Sequence, residues 1–226
     1  MSPPEPEQSS VPRRTTPRYG GYVGLLALVI LGLITINTIV TKPNGVKGLA
    51  PGETVPPFAV PLAQGNLNGD ADTATHANDG GAGRVPACQE RGSQILNICE
   101  LYEHAPVVLA LFVDGGSCPD VLDDMQALAP SFPAVRFAGV AIKGSRGKLR
   151  KLIHAHRLSL PLGIDSDGAL AALYKVGTCP QLTFILPGGQ AQGNALINRP
   201  SRALLRKRVG KLLGDARARG WHGAKT

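Results

Sequence analysis

Aromatic side chains are scarce. Phe, Tyr and Trp supply 4% of the 226 residues, with a single Trp. A core made from this chain must be built mainly from Leu, Val, Ile and Ala, and 43% apolar residues is enough for an ordinary one. The stacking platform that single-stranded nucleic acid needs is missing, so no nucleic-acid partner is expected. Acidic residues are also few: 16 Asp and Glu stand against 24 Lys and Arg, a net charge of +8. The basic residues are spread over two expected helices and both tails, the pattern of a solvated or membrane-facing surface. Cysteine is confined to Cys88, Cys99, Cys118 and Cys179. None of these form a C-x-x-C, so neither a metal site nor a cofactor is implied. An even count fits an oxidising compartment, where four cysteines allow three pairings.

Long apolar runs are absent but for one. Residues 22–41 read YVGLLALVILGLITINTIVT and carry no charge. Twenty helical residues span about 30 Å, the thickness of a bilayer core. The apolar stretch of a cleaved signal peptide is about 7–15 residues, and no clean small-x-small cleavage site follows. The expectation is therefore a transmembrane helix over 19–41, after a disordered tail over 1–18 rich in Pro, Ser, Glu and Arg. Arg13, Arg14 and Arg18 precede the helix, and Lys42 and Lys47 follow it. This bias puts the N-terminus in the cytoplasm and the larger C-terminal part outside, where disulfides persist.

Residues 42–57 are rich in Pro and Gly and read as a stalk linker. A folded domain is expected over 58–215, with a flexible basic tail over 216–226. Within the domain, 58–62 reads as a short strand. The Gly, Asn, Asp and Ala of 64–87 read as a long loop, the least ordered part of the domain. Residues 95–102 read as a strand, and the unbroken apolar run 107–113 as a strand buried on both faces. Val121, Leu122, Met125, Leu128 and Ala129 fall on one helix face. A buried strand follows over 135–142, then a helix over 145–157. A strand ending at Ile164, a helix over 169–174 and two partner strands over 182–186 and 191–197 come next. Ser201 caps a last helix bearing Leu204, Leu205, Val209, Leu212 and Leu213. Strands alternating with helices, then a hairpin and a helix, give an α/β class: a central mixed β-sheet with helices on both faces.

Two segments carry a family resemblance. The first runs Ala105-Pro106-Val107-Val108-Leu109-Ala110-Leu111-Phe112, then Asp114-Gly115-Gly116-Ser117-Cys118-Pro119. The second runs from Tyr174 through Val176, Cys179, Pro180 and Ile185 to Gly188-Gly189, preceded by Asp165-Ser166-Asp167-Gly168. Together they resemble the thioredoxin-like superfamily, in particular membrane-tethered redoxins, thiol–disulfide reductases and peroxiredoxin-related domains. The resemblance covers roughly residues 50–215. It implies a thioredoxin-like fold and a cis Pro180.

The resemblance also sets expectations for chemistry. Gly115-Gly116-Ser117-Cys118 stands where a thioredoxin has C-x-x-C, so only the second cysteine is present. A peroxiredoxin would have Thr three residues before its reactive cysteine, and Gly115 is there instead. Cys118 falls at a helix start, with Pro119 in the first helical position, where free N–H groups stabilise a thiolate. Asp120, Asp123 and Asp124 oppose that effect. The family fold would bring Cys179, before the cis proline, against Cys118. Cys118, Cys179 and Pro180 are accordingly the candidate catalytic residues, with Cys118 as nucleophile and Cys179 as resolving partner. Cys88 and Cys99 are left to close a short loop, worth roughly 2–3 kcal/mol if bridged. Two readings follow: a membrane-anchored oxidoreductase acting on protein thiols or disulfides, with peroxidase-like character as a variant of it, and a redox-inert envelope module with stabilising disulfides.

Overall fold

The computed structural model describes residues 20–40 and 48–223, with side chains described over 21–33 and 48–223. The chain divides into two units, one holding α1 (Gly20–Val40) and one running from Gly45 onward. α1 is a helix of 21 residues without charge in its first or last turn. Among the described residues no helix is long and apolar enough to cross a membrane. The tail expected over 1–18 lies outside the described residues.

The second unit begins with β1 (Ala59–Pro61), β2 (Ile95–Asn97), α2 (Ile98–His104), β3 (Val107–Phe112) and α3 (Asp120–Leu128). It continues through β4 (Arg136–Ile142), α4 (Arg146–His156), β5 (Leu162–Asp165) and α5 (Ala169–Leu173). β6 (Gln181–Leu186), β7 (Gln190–Ala191), β8 (Leu196–Ile197) and α6 (Arg202–Ala218) complete it. The main sheet has the order β5-β4-β3-β6-β7, with β8 on β6. β4 and β5 run parallel to the β3 side of the sheet, and β6 is antiparallel to β3. β3 is therefore the central strand, and every one of its residues is buried.

That burial explains the unbroken apolar run. Val108, Ala110 and Phe112 face a layer made by Val121, Leu122 and Met125 of α3, Leu149 of α4, and Leu205, Val209 and Leu212 of α6. Val107, Leu109 and Leu111 face the opposite layer, which contains Phe58, Ile98, Leu170 and Tyr174. Side chains alternate between sheet faces, so a strand with two covered faces cannot show polar alternation. Ser145 and Ser201 cap α4 and α6 as expected, accepting from Lys148 N–H at 3.4 Å and Leu204 N–H at 3.3 Å. β1 and β2 pair with each other and lie close over β5. A Cβ on Gly163 would come within 2.3 Å of Val60 Cγ2 and 3.1 Å of Leu96 Cδ2. Only glycine permits this approach.

Five expectations need correction. The strand expected over 95–102 stops at Asn97. The Asn97 side chain accepts from Cys99 N–H at 2.8 Å and Glu100 N–H at 3.3 Å and so starts α2. The packed domain begins before residue 58, because Leu49 and Val55 are buried and Val55 N–H donates to Gly189 O at 2.8 Å. The part of the expected stalk over 48–57 covers the sheet near β7, while 41–47 lie outside the described residues. The loop over 64–87 is pinned despite lacking large apolar residues. Its Ala71, Ala74 and Ala87 are buried, Asn66 N–H donates to Gln94 Oε1 at 2.6 Å, and Asp72 pairs its backbone with Ala59. Arg150 of α4 adds a bond of 2.9 Å to Gly65 O. Finally, the expected tail is ordered through Trp221, whose indole N–H donates to His104 O at 3.2 Å. The single strand expected over 191–197 is also divided, into β7 and β8 around Gly193, which has φ +68°.

Candidate functional site

β3 carries the chain to the end of the sheet, and residues 113–119 turn it back into α3. Gly116 lies at φ +60°, a conformation that favours glycine. Asp114 Oδ2 accepts from Ser145 N–H at 3.3 Å and Asp114 Oδ1 lies 3.7 Å from Lys148 Nζ, which ties this turn to the start of α4. Pro119 sits one position earlier than expected, at the N-cap with φ −69° and ψ −16°, and Asp120 opens the helix. Cys118 at the end of the turn is 7% exposed.

A second segment reaches the same place from α5. Asp165, at the end of β5, is buried and accepts from Gly168 N–H at 3.0 Å and Leu170 N–H at 3.1 Å. Burial, with Asp167 adding to it, pushes its carboxyl up to about 7 against the pull of those two N–H groups. Tyr174 is fully buried, packs edge-to-face on Phe58 at 5.8 Å and donates from its hydroxyl to Pro56 O at 2.8 Å. The Gln181 amide donates to Tyr174 O at 2.9 Å and so braces the two ends of the connection over 174–181. Within it, the Cys179–Pro180 peptide is cis.

The two segments meet at a disulfide. Cys118 and Cys179 are bonded, with Cα atoms 5.6 Å apart, within the range a bridge requires. The backbone N–H of Val113 donates to both sulfurs, at 3.1 Å to Cys179 and 3.4 Å to Cys118. Cys179 is half-buried, and Gly115, Gly116, Ser117, Gly177 and Thr178 around the bridge are exposed. Cys88 and Cys99 form the other disulfide, with Cα atoms 5.3 Å apart. Opening of a disulfide by an external thiol is the elementary step of disulfide exchange.

The acidic residues after Cys118 are each engaged. Asp120 Oδ2 lies 2.9 Å from Arg199 Nη1, and Asp123 Oδ2 lies 2.8 Å from His156 Nδ1. Asp124 is 3% exposed and holds Arg199 Nε at 2.9 Å as well as Arg202 Nε. Burial alone would raise the Asp124 carboxyl, but the two guanidinium groups outweigh it and hold it below the usual carboxylate range. Sequence reasoning found the opposing acids and missed the arginines. Arg199 stands 79 residues from Asp120, and no local pattern links them. Val113 escaped notice for another reason: it contributes a backbone N–H, which any residue there would supply.

No protein-family model matches the chain, and no curated protein matches its sequence. Solved structures do resemble it. A protein described as thiol:disulfide interchange protein DsbE from Chlorobium tepidum has a TM-score of 0.56 at 15% identity, covering 74% of this chain and 99% of that one. The thioredoxin domain of a thiol-disulfide oxidoreductase from Bacteroides vulgatus has a TM-score of 0.53 at 13% identity, with coverage of 73% and 99%. Peroxidoxin BcpB from Mycobacterium tuberculosis has a TM-score of 0.51 at 17% identity, with coverage of 75% and 97%. At such identities the likeness concerns the fold, and the fold is thioredoxin-like, as the resemblance in the sequence implied.

Proposed function

We propose that this thioredoxin-like chain is a thiol–disulfide oxidoreductase that works with Cys118 and Cys179 as its redox pair, on protein thiols or disulfides. The observation that carries the reading is the bridge itself. It joins a helix-start turn to the segment before a cis proline, at a partly exposed rim, with the Val113 N–H aimed at both sulfurs. A donor in that position favours whichever sulfur becomes a thiolate when the bridge opens. Pro180 directly follows Cys179 and is the third residue assigned to the site. Thiol exchange is preferred to peroxide reduction because Gly115 offers no hydroxyl three residues before Cys118.

The reading includes an anchor. The uncharged run over 22–41, most of it in α1, and the arginines before it support one membrane span with the folded unit outside the cytoplasm. Protease added to intact cells should then degrade the folded unit, and protection until lysis would rule the topology out.

A second reading, a redox-inert module, is favoured by two observations: the first cysteine of the expected motif is replaced by Gly115, and Cys118 is only 7% exposed. Equilibration of the full chain in dithiothreitol and glutathione buffers, followed by thiol labelling, separates the two. An exchanger should open Cys118–Cys179 within the range of about −300 to −120 mV spanned by redox proteins and glutathione poise. A bridge that stays closed in strong reductant would leave the inert module.

A further inference from the structure

The sulfurs of the bridge differ in access. Cys118 is buried in the layer formed with Val121, Leu122 and Met125, whereas Cys179 packs on that layer only in part. Exposed neighbours flank Cys179 at Gly177 and Thr178, and those across the bridge at 115–117 are two glycines and a serine. An incoming thiolate has to approach the sulfur it attacks from outside, opposite the bond that breaks. Access therefore favours Cys179.

The sulfurs differ also in where charge can be held. Opening the bridge leaves a negative charge on the departing sulfur. Cys118 lies just before α3, a helix of nine residues whose first N–H groups point toward that end. The acids that would repel a thiolate there are engaged: Asp120 and Asp124 by Arg199, Asp124 by Arg202, and Asp123 by His156. Val113 N–H, 3.4 Å from the Cys118 sulfur and 3.1 Å from that of Cys179, serves both and does not separate them. Burial blocks an attacker at Cys118; the desolvation it imposes on the departing thiolate is opposed by the N–H groups at the start of α3.

We infer that Cys179 is the sulfur that joins the substrate and Cys118 the one that leaves, the reverse of the roles suggested by the helix-start position alone. The inference rests on the exchange activity proposed above. In the oxidising direction, a substrate thiolate attacks Cys179 Sγ. The new sulfur–sulfur bond links substrate to Cys179, the Cys118–Cys179 bond breaks, and its electron pair stays on Cys118 as thiolate. The substrate's second thiolate then attacks its own sulfur in the mixed disulfide. The substrate leaves as a disulfide, oxidised by two electrons, and Cys179 departs as the second thiolate. The two protons lost by the substrate thiols go to solvent or to the reduced pair. In the reducing direction the same steps run backward, so Cys179 is the attacking thiolate. The fitting substrate is a cysteine pair on a flexible or unfolded segment that can reach a shallow rim.

The test uses the full chain and glutathione as probe. Cys118→Ser leaves Cys179 free, and Cys179→Ser leaves Cys118 free. With oxidised glutathione, Cys118→Ser should form its mixed disulfide about ten-fold or more faster than Cys179→Ser, read by mass spectrometry. If either variant fails to fold, the wild-type bridge is opened with reduced glutathione, quenched in acid and mapped by peptide. The adduct should then sit on Cys179. Equal rates, faster reaction at Cys118, or an adduct mainly on Cys118 would overturn the assignment while leaving exchange intact. If no thiol reacts and dithiothreitol leaves the bridge closed, the exchange activity itself fails and the assignment falls with it.

Discussion

Replacing Asp165 with Asn should flatten the pH dependence of stability. Asp165 lies buried at the end of β5 with its carboxyl pushed up to about 7, whereas an Asp in an unfolded chain titrates near 3.9. The folded state therefore keeps a proton that the unfolded state has already lost. A raised folded value means the contribution is fully present below about 4 and is lost as pH rises through about 7. Three units at about 1.36 kcal/mol each give a total swing of about 4 kcal/mol. Between pH 5 and pH 8 roughly 3 kcal/mol of it should be lost, because the slope is about 1.4 kcal/mol per unit up to 7. Asp124 does not blur this window. Its carboxyl is held low by burial overcome by Arg199 and Arg202, so its contribution is present above the unfolded value and is lost only as pH falls through the lower folded one. The Asn side chain cannot titrate, and with one acceptor oxygen it gives up one of the two N–H bonds, at a cost of about 1–2 kcal/mol at pH 5. Urea unfolding with the disulfides intact, followed by circular dichroism or Trp221 fluorescence, measures both proteins at both pH values. If wild type and Asp165→Asn lost the same stability between pH 5 and 8, the account of Asp165 would be refuted.

Three further outcomes are expected. Gly163→Ala should lower stability by about 1–3 kcal/mol, because the new Cβ meets Val60 at 2.3 Å; unchanged urea midpoints would show that the β1–β2 pair does not press on β5 as described. Arg199→Gln should free Asp120 and weaken the hold on Asp124, making a thiolate at Cys118 less favourable. The reduction potential of the bridge should then fall by about 10–30 mV, a shift that glutathione titration would detect and that a purely structural arginine would not produce. Removing the other bridge by Cys88→Ser with Cys99→Ser should cost about 2–3 kcal/mol while leaving glutathione exchange at Cys118–Cys179 unchanged; loss of that exchange would place both bridges in one functional unit.

Much of the fold could be read from local pattern. The apolar run of β3, the helix-face spacing of Val121, Leu122 and Met125, and the capping serines 145 and 201 are short-range signals, and each matches an element. What could not be read depends on contacts across the fold. Residues 98–102 are apolar enough for a strand, and the choice of helix is made by the Asn97 side chain closing on Cys99 N–H. The order of 64–87 comes from arginines of α4 and small alanines, which composition treats as loop residues. At the site, the meeting of Cys118 with Cys179 was implied by family resemblance, and their Cα separation agrees with it. The relative burial of the two sulfurs depends on α3 packing against β3, and it was invisible in the sequence.

The order of the cysteines along the chain bears on how the protein matures. The two bridges are not interleaved: one closes between positions 11 residues apart and the next between positions 61 apart, entirely downstream. Closing the longer loop costs about 1.5 kcal/mol more in chain entropy. A chain oxidised as it is delivered N-terminus first would meet Cys88 and Cys99 together before Cys118 arrives. Once those two have joined, Cys118 has no free thiol behind it and must wait for Cys179. By then β6, the neighbour of β3, is only two residues away from delivery. In a chain so delivered, correct pairing would follow from the order of arrival, and the late bridge would close as the central strand gained its last partner.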